Sequence, residues 1–388
     1  MEFTKIFKEL RQVFALNRDE IAIAGTSAMF RLMPFASHSN PIPFTRTGIY
    51  NGLNGHVYAA EDIAVVENVN FSYPVYIPNS SNKYSKAIIL LHGLNERSWH
   101  KYLPWAQYLG NHTQRPVILF PIAFHMNRSP ESWANPREMM PLINSRKIIE
   151  GISMTTFANI ALSQRLSDDP LRFFTSGKQS ADDLVQLLSS IKGGELPFLH
   201  KDSQLDFFSY SIGAFLAQIL FLANPNELLS SSKLFIFSGG GLFSEMRGTS
   251  RLIMDSKAYS SLRKYYLHDF PIELKVKSPF SSFVKGGALG EAFLAMISSE
   301  NNQFFREHKF QRMRDRIRVL ALTKDTVIPA ASAKEVFACV RNQKVVTELD
   351  FPYEYTHENP FPVFDNAKRL EVDRAFETVF SQAASFLN

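Results

Sequence analysis

Short apolar runs alternating with amphipathic stretches set the organisation of this chain. Residues 87–91, 116–120, 205–209, 233–237, 316–322 and 344–349 are rich in Ile, Val, Leu and Phe and are bounded by turn or cap residues. Runs this short and this continuously apolar predict strands buried on both faces, as in a parallel sheet. Helical patterns separate most of them, over 99–110, 180–192, 214–223, 331–341 and 365–386. The stretch 214–223 is apolar on nearly all sides and predicts a buried helix. Strands alternating with helices predict an α/β domain around a mostly parallel sheet. Upstream, 63–70 and 71–77 read as two further strands. Residues 1–16 read as an amphipathic helix with Phe3, Ile6, Phe7, Leu10 and Phe14 on one side.

Two segments break the alternation. Residues 125–201 and 241–313 are far longer than one crossover requires, and segments of that length are functional or carry structure of their own. Both read as mostly helical insertions following the carboxyl ends of strands, the edge where open α/β sheets bind ligands. They are candidates for a cap or lid, the alternative being that they only thicken the domain. The division is therefore residues 1–60 as an N-terminal helical extension and 61–388 as one catalytic domain carrying both insertions.

Composition narrows the function classes. The chain has 388 residues, 45% of them hydrophobic, which suffices for a large core. Its formal charge of +5 is small for this length and argues against nucleic acid as a partner. The densest basic run, Arg306 to Arg318, has Glu307 and Asp315 mixed into it and reads as a solvated helix face. The single cysteine, Cys339, excludes an internal disulfide and suits a reducing compartment. No run approaches the ~18 apolar residues that span a bilayer, and the N-terminal pattern is not that of a signal peptide. The expectation is a cytoplasmic protein without a membrane span. The 34 phenylalanines fill a core or line an apolar pocket.

The most informative run is Ser209-Tyr210-Ser211-Ile212-Gly213, where a strand pattern ends and a buried helix begins. A nucleophile elbow needs this context, with small residues two before and two after the serine. Ser209 stands where glycine is usual and is itself the rival nucleophile. A serine hydroxyl needs a base, and the base needs an orienting group. Asp325 follows the strand 316–322, with Val327 and Pro329 behind it. Its alternative role is to cap the turn. His357, after the strand 344–349, is the only histidine downstream of Asp325. Its neighbour Glu358 is the rival orienter. Past the strand 87–91, the turn His92-Gly93-Leu94 offers backbone N–H groups. Acyl transfer needs two such donors for the developing oxyanion. Leu94 and Ile212 are the candidates, and His92 reads as a structural hydrogen-bonder.

These residues resemble the α/β-hydrolase superfamily of serine hydrolases, on His92-Gly93, the Ser209-x-Ser211-x-Gly213 elbow, Asp325 with Val327 and Pro329, and His357. The stretch from Leu91 through Arg128, with Trp99, Pro104-Trp105 and His125-Met126-Asn127-Arg128, is similar to an uncharacterised bacterial family of unknown function within it. The resemblance implies an α/β-hydrolase fold and a triad of Ser211, Asp325 and His357 acting on a small acyl substrate. A carboxylic ester leads, followed by thioester and amide. Acyl transfer to another acceptor, or a non-catalytic binding module on the same fold, stays open. His125 and Arg128 are candidate substrate contacts. The chemistry requires no cofactor, no metal-ligand spacing stands out, and Gly239–Gly241 lacks the lysine of a phosphate loop. The oligomeric state is not legible.

Overall fold

The computed structural model describes residues 2–39, 62–79, 83–340, 344–363 and 366–388. Among the described residues nine strands form one sheet: β1 Glu20–Ala22, β2 Met29–Ala36, β3 Asn70–Ile77, β4 Tyr84–Leu91, β5 Val117–Phe120, β6 Leu199–Tyr210, β7 Leu234–Phe237, β8 Ile317–Leu322 and β9 Val346–Leu349. Their order is β1-β2-β3-β5-β4-β6-β7-β8-β9. The first three and the β3–β5 join are antiparallel. From β5 to β9 every pairing is parallel. The six runs expected to be buried parallel strands are these six, except that β9, at the edge of the sheet, is only half-buried.

Successive strand residues point to opposite faces, and both faces are covered. Ile89, Leu91, Phe207, Ile236 and Val319 pack on one side against the helices Arg172–Gly193 and Ile212–Ala223. Ile88, Leu90, Phe208, Phe237 and Leu320 pack on the other, against the helices Phe3–Val13, Leu103–Thr113 and Arg369–Leu387. This two-sided burial is why the strands read as unbroken apolar runs rather than alternating ones. No helix among the described residues is long and apolar enough to cross a membrane.

Three expectations are corrected. The described part of residues 1–60 is not a helical extension. Their helix is part of the core, with Phe3 stacked on Phe376 at 4.2 Å and Thr4 bonded to Asp373. Residues 20–36 then supply β1 and β2, while 40–60 lie outside the described residues. A three-residue strand and Pro34 within β2 hide this hairpin from a propensity reading. Second, 63–70 is not a strand. Val66–Val69 is a helical turn, fixed by the buried Asn68 side chain, which accepts from Phe124 N and donates to Gln179. Third, Arg306 is not on a solvated face. Its buried guanidinium donates to the carbonyls of Ala295, Ser298, Ser299 and Asn301.

The segment 125–201 folds mainly as the helices Pro136–Asn144, Ile160–Asp168 and Arg172–Gly193. The segment 241–313 carries Ser256–Lys264, Pro279–Lys285, Ala288–Ala295 and Gln303–Arg312. The two meet at a buried bidentate pair, Arg146 to Asp255, at 2.9 and 2.8 Å. Asn95, in the loop after β4, bonds to both, through Ala158 O and Leu252 O.

Candidate active site

Strand β6 ends at Tyr210 and the next helix begins at Ile212, so the chain reverses through one residue. Ser211 takes φ +56°, ψ −123°, in the left-handed half of backbone space that a non-glycine residue rarely occupies. Strain of this kind persists only where the surroundings impose it. The turn leaves no room beside it: a Cβ on Gly213 would lie 2.7 Å from His92 O and 2.8 Å from Leu91. Ser209 stays in the strand, paired with Leu91 and Ile236, its buried hydroxyl without a partner among the described residues. It does not reach His357.

Ser211 Oγ lies 2.6 Å from His357 Nε2, and His357 Nδ1 lies 2.7 Å from Asp325 Oδ2. All three are at least 95% buried. The second carboxylate oxygen, Oδ1, accepts from Val327 N and Ile328 N, both at 2.9 Å. Asp325 therefore makes both arrangements that its position allowed, one with each oxygen. Glu358 points elsewhere, its carboxylate accepting from Ser250 Oγ. The structure thus brings Ser211, His357 and Asp325 into one hydrogen-bonded line and leaves both rivals out of it.

The amides around this line are not equivalent. Gly213 N donates to His92 O at 3.1 Å, and Gly93 N donates to Tyr102 Oη at 2.9 Å. Leu94 N and Ile212 N have no acceptor among the described residues. Both residues border the same space as Ser211. His92 bridges two strand ends. Its Nδ1 meets Gly93 O at 2.8 Å and its Nε2 accepts from Ile122 N at 2.9 Å, so the ring is neutral, and burial holds its pKa well below the usual value.

Of the two candidate substrate contacts, one reaches the site and one does not. Arg128 is fully enclosed. Its guanidinium lies 4.2 Å from the Phe71 ring centroid and donates to Asn68 O, Pro121 O and Asp183. It anchors the loop after β5 and does not line the space near Ser211. His125 borders a cavity of about 660 Å³ next to the triad. Its Nδ1 meets Ala123 O at 2.8 Å, and its Nε2 has no partner among the described residues. Burial lowers its pKa to about 4, so the ring is neutral at pH 7.

A polar cluster behind the triad has no motif signature. The Tyr102 hydroxyl donates to Glu96, whose carboxylate also pairs with Lys101. Lys101 Nζ bonds Glu358 O and lies 4.8 Å from the Tyr210 ring centroid. The Tyr210 hydroxyl donates to His357 O, and its ring stacks on the imidazole at 5.6 Å. These four side chains tie the loop after β4, the elbow and the His357 loop together. The elbow pattern treats position 210 as free, which is why its role is silent in the sequence.

Parallel strands carrying a serine elbow after β6, a carboxylate after β8 and a histidine after β9 make this the α/β-hydrolase fold. A single family profile matches residues 1–388. The chain belongs to the family of unknown function DUF6051. No curated protein matches it. Among solved structures, this DUF6051 chain is similar to carboxyl esterase 2 from the mycorrhizal fungus Tuber melanosporum. Identity is 8% and the TM-score 0.47, over 99% of this chain and 96% of that one. It is also similar to a Pyrobaculum calidifontis esterase, at 10% identity and TM-score 0.43 over 99% and 92%. A third is EstE1, a thermophilic carboxylesterase cloned from a metagenomic library, at 10% and 0.40 over 100% and 96%. At these identities and scores they say nothing of the substrate of this DUF6051 chain.

Proposed function

We propose that this chain is a serine hydrolase that cleaves carboxylic esters through an acyl-enzyme on Ser211. The observation that carries this reading is the line from Ser211 Oγ through His357 to Asp325, at 2.6 and 2.7 Å, beside two unpaired amides. His357 Nε2 takes the hydroxyl proton as Oγ bonds the carbonyl carbon. The displaced electron pair moves to the carbonyl oxygen, which rests on the N–H groups of Leu94 and Ile212. Loss of such a donor typically raises the barrier by about 3–4 kcal/mol. The pair returns as the alcohol departs with the proton from His357. Water then repeats the sequence on the acyl-enzyme, giving the carboxylic acid and regenerating Ser211. Asp325 fixes the imidazole with Nδ1 protonated and stabilises its charged form.

Thioesters and amides would follow the same route. The insertions 125–201 and 241–313 act as a cap over this edge of the sheet, and His125 contacts the substrate from the cavity wall. No step calls for a cofactor. The test is covalent labelling with a fluorophosphonate probe. The native chain labels at Ser211 and Ser211→Ala does not; a variant that still labels removes Ser211 from the role.

A further inference from the structure

The cavity beside the triad has a shape that bears on the substrate. It follows one face of the helix Ile212–Ala223, bordered in turn by Ile212, Phe215, Leu216, Ile219 and Ala223. Those positions form a single stripe at helical spacing. The opposite wall is Phe173, Phe174, Gly177 and Ala181 of the first insertion, with Phe283 and Phe293 of the second. Its inner end is closed by Leu94, Ile122 and His125. Its outer end reaches Asn226, Gly286 and Gly287, all exposed. The space is therefore a channel with an apolar wall, leading from the unpaired amides to solvent.

A second, much smaller chamber of about 50 Å³ touches Ser211. It shares Leu94, Phe173 and Ile212 with the channel and is otherwise bordered by Met246, Ile253, Met254 and Val327 among others. At roughly 10–15 Å³ for each water-sized occupant, it takes a group of only a few heavy atoms. The two spaces that meet at Leu94, Phe173 and Ile212 are thus grossly unequal.

The channel length follows from the helix. Eleven residue steps from Ile212 to Ala223, at about 1.5 Å each, give roughly 16 Å. An extended chain advances about 1.2 Å per bond, a third of the ~3.5 Å per residue of an extended backbone. The channel therefore accommodates about a dozen bonds. We infer, resting on the ester-hydrolase reading above, that the substrate carries one unbranched apolar chain of about twelve carbons on one side of its ester group. A group no larger than ethyl or propyl lies on the other side. The long chain belongs to the acyl or to the alcohol part, and the assay separates the two.

Two linear series serve as probes, used below their solubility limits: methyl esters of C4 to C16 acids, and acetates of C4 to C16 alcohols. Hydrolysis of either consumes one water and releases one acid and one alcohol, so acid release at constant pH follows both. The expected result is that kcat/KM in one series rises about two- to fourfold per methylene, fourfold being ~0.8 kcal/mol of burial. The rise ends near C12. Blocking the channel must move that end-point. Gly177 has nothing within 4 Å of where a Cβ would stand, so Gly177→Leu enters open space and improves helix propensity. It lowers the C12-to-C4 ratio of kcat/KM at least tenfold. Ile219→Trp obstructs the channel roughly 10 Å along the helix, seven steps of about 1.5 Å, and ends the rise near C8. It serves as the second variant if the first fails to fold.

A flat or falling profile in both series overturns the inference, as does a C12-to-C4 ratio unmoved by either variant. In both cases fluorophosphonate labelling of Ser211 and butanoate turnover persist. Loss of labelling and of all turnover would instead sink the ester-hydrolase reading itself.

Discussion

The sheet edge and the insertions that stand over it are held together by different physics. At the edge, each member of the hydrogen-bonded line follows a short apolar strand, and its place is set largely nearby in sequence: Ser211 by the β6 reversal and Asp325 by its own turn, while the His357 loop is also held from Tyr210. Between the insertions, a buried tie is Arg146 to Asp255, 109 residues apart, reinforced by Gln164, Ser167 and Thr155. A buried ion pair of this kind costs desolvation and is retained only with good geometry and further hydrogen bonds. The edge is thus largely specified by sequence pattern, whereas the insertions are joined by contacts distant in sequence, polar between Arg146 and Asp255 and aromatic between Phe174 and Phe293 and between Phe173 and Tyr266. Perturbing the first should alter chemistry at nearly constant stability, and perturbing the second should do the reverse.

The sharpest test on the chemical side is Asp325→Asn. Asparagine Oδ1 can keep the bonds from Val327 N and Ile328 N, so the turn survives. The amide NH2 then faces His357 Nδ1 and forces the proton onto Nε2, where it can no longer accept from Ser211. Activity should fall about 10⁴-fold, as when an orienting aspartate is lost elsewhere. The denaturation midpoint should move little. A fall of tenfold or less would remove Asp325 from the role. On the structural side, Arg146→Met leaves the Asp255 carboxylate buried and unpaired. It should cost about 3–5 kcal/mol in urea unfolding. A cost below about 1 kcal/mol would mean that the insertions are joined by other contacts.

The same contrast explains what could be read from the chain. Five of the six parallel strands, β4 to β8, were legible because burial on both faces makes them continuous apolar runs; β9, half-buried at the sheet edge, was legible from its Val346 and Leu349. Ser211, Asp325 and His357 were legible because each stands next to such a strand in a residue type suited to the chemistry. Leu94 and Ile212, proposed as oxyanion donors, could be named without regard to their side chains, since that proposal uses only their amides. Arg128 was misplaced because position after a strand does not tell which way a side chain turns. Its partners, Asn68, Pro121 and Asp183, are up to 60 residues away. The β1–β2 hairpin and the cluster of Glu96, Lys101, Tyr102 and Tyr210 were missed for a related reason. Their stability comes from tertiary contacts, and no local periodicity reports those.

The two regions meet at a pair of buried imidazoles, and acid should act there. His92 ends the β4 side, His125 begins the first insertion, and their ring centroids are 5.5 Å apart. Burial lowers both pKa values, His125 to about 4, with Arg128, Arg97 and Arg165 adding to the effect. Above about pH 6.5, the ordinary histidine value, both rings are neutral folded or unfolded and stability is fully present. Between about 6.5 and 4 the unfolded chain takes up protons that the folded chain refuses, so stability is lost as pH falls. For His125 alone the loss from pH 7 to 5 is about 2 kcal/mol, at ~1.4 kcal/mol per unit. His125→Gln should remove that part of the slope in urea titrations at the two pH values. Equal slopes in variant and native chain would show that the ring titrates freely.

The smallest effect is the most informative about how the edge is assembled. Tyr102 contributes one hydroxyl, which accepts from Gly93 N and donates to Glu96. Tyr102→Phe keeps the buried ring and removes only that oxygen, leaving the Gly93 amide unpaired. An unsatisfied buried donor costs about 1–3 kcal/mol, and the loop can relieve part of that by shifting. Leu94 is the next residue, so the shift moves one of the two proposed oxyanion donors while the triad stays in place. The transition state should suffer more than the bound substrate: kcat falling about tenfold, KM within about twofold, and labelling of Ser211 slower but complete. A rise in KM at constant kcat would place Tyr102 in substrate binding instead. No change in either would mean that the loop holds Leu94 without it, through Asn95 and its bonds to Ala158 and Leu252. In that case the insertions, and not the cluster behind the triad, set the geometry of the oxyanion donors.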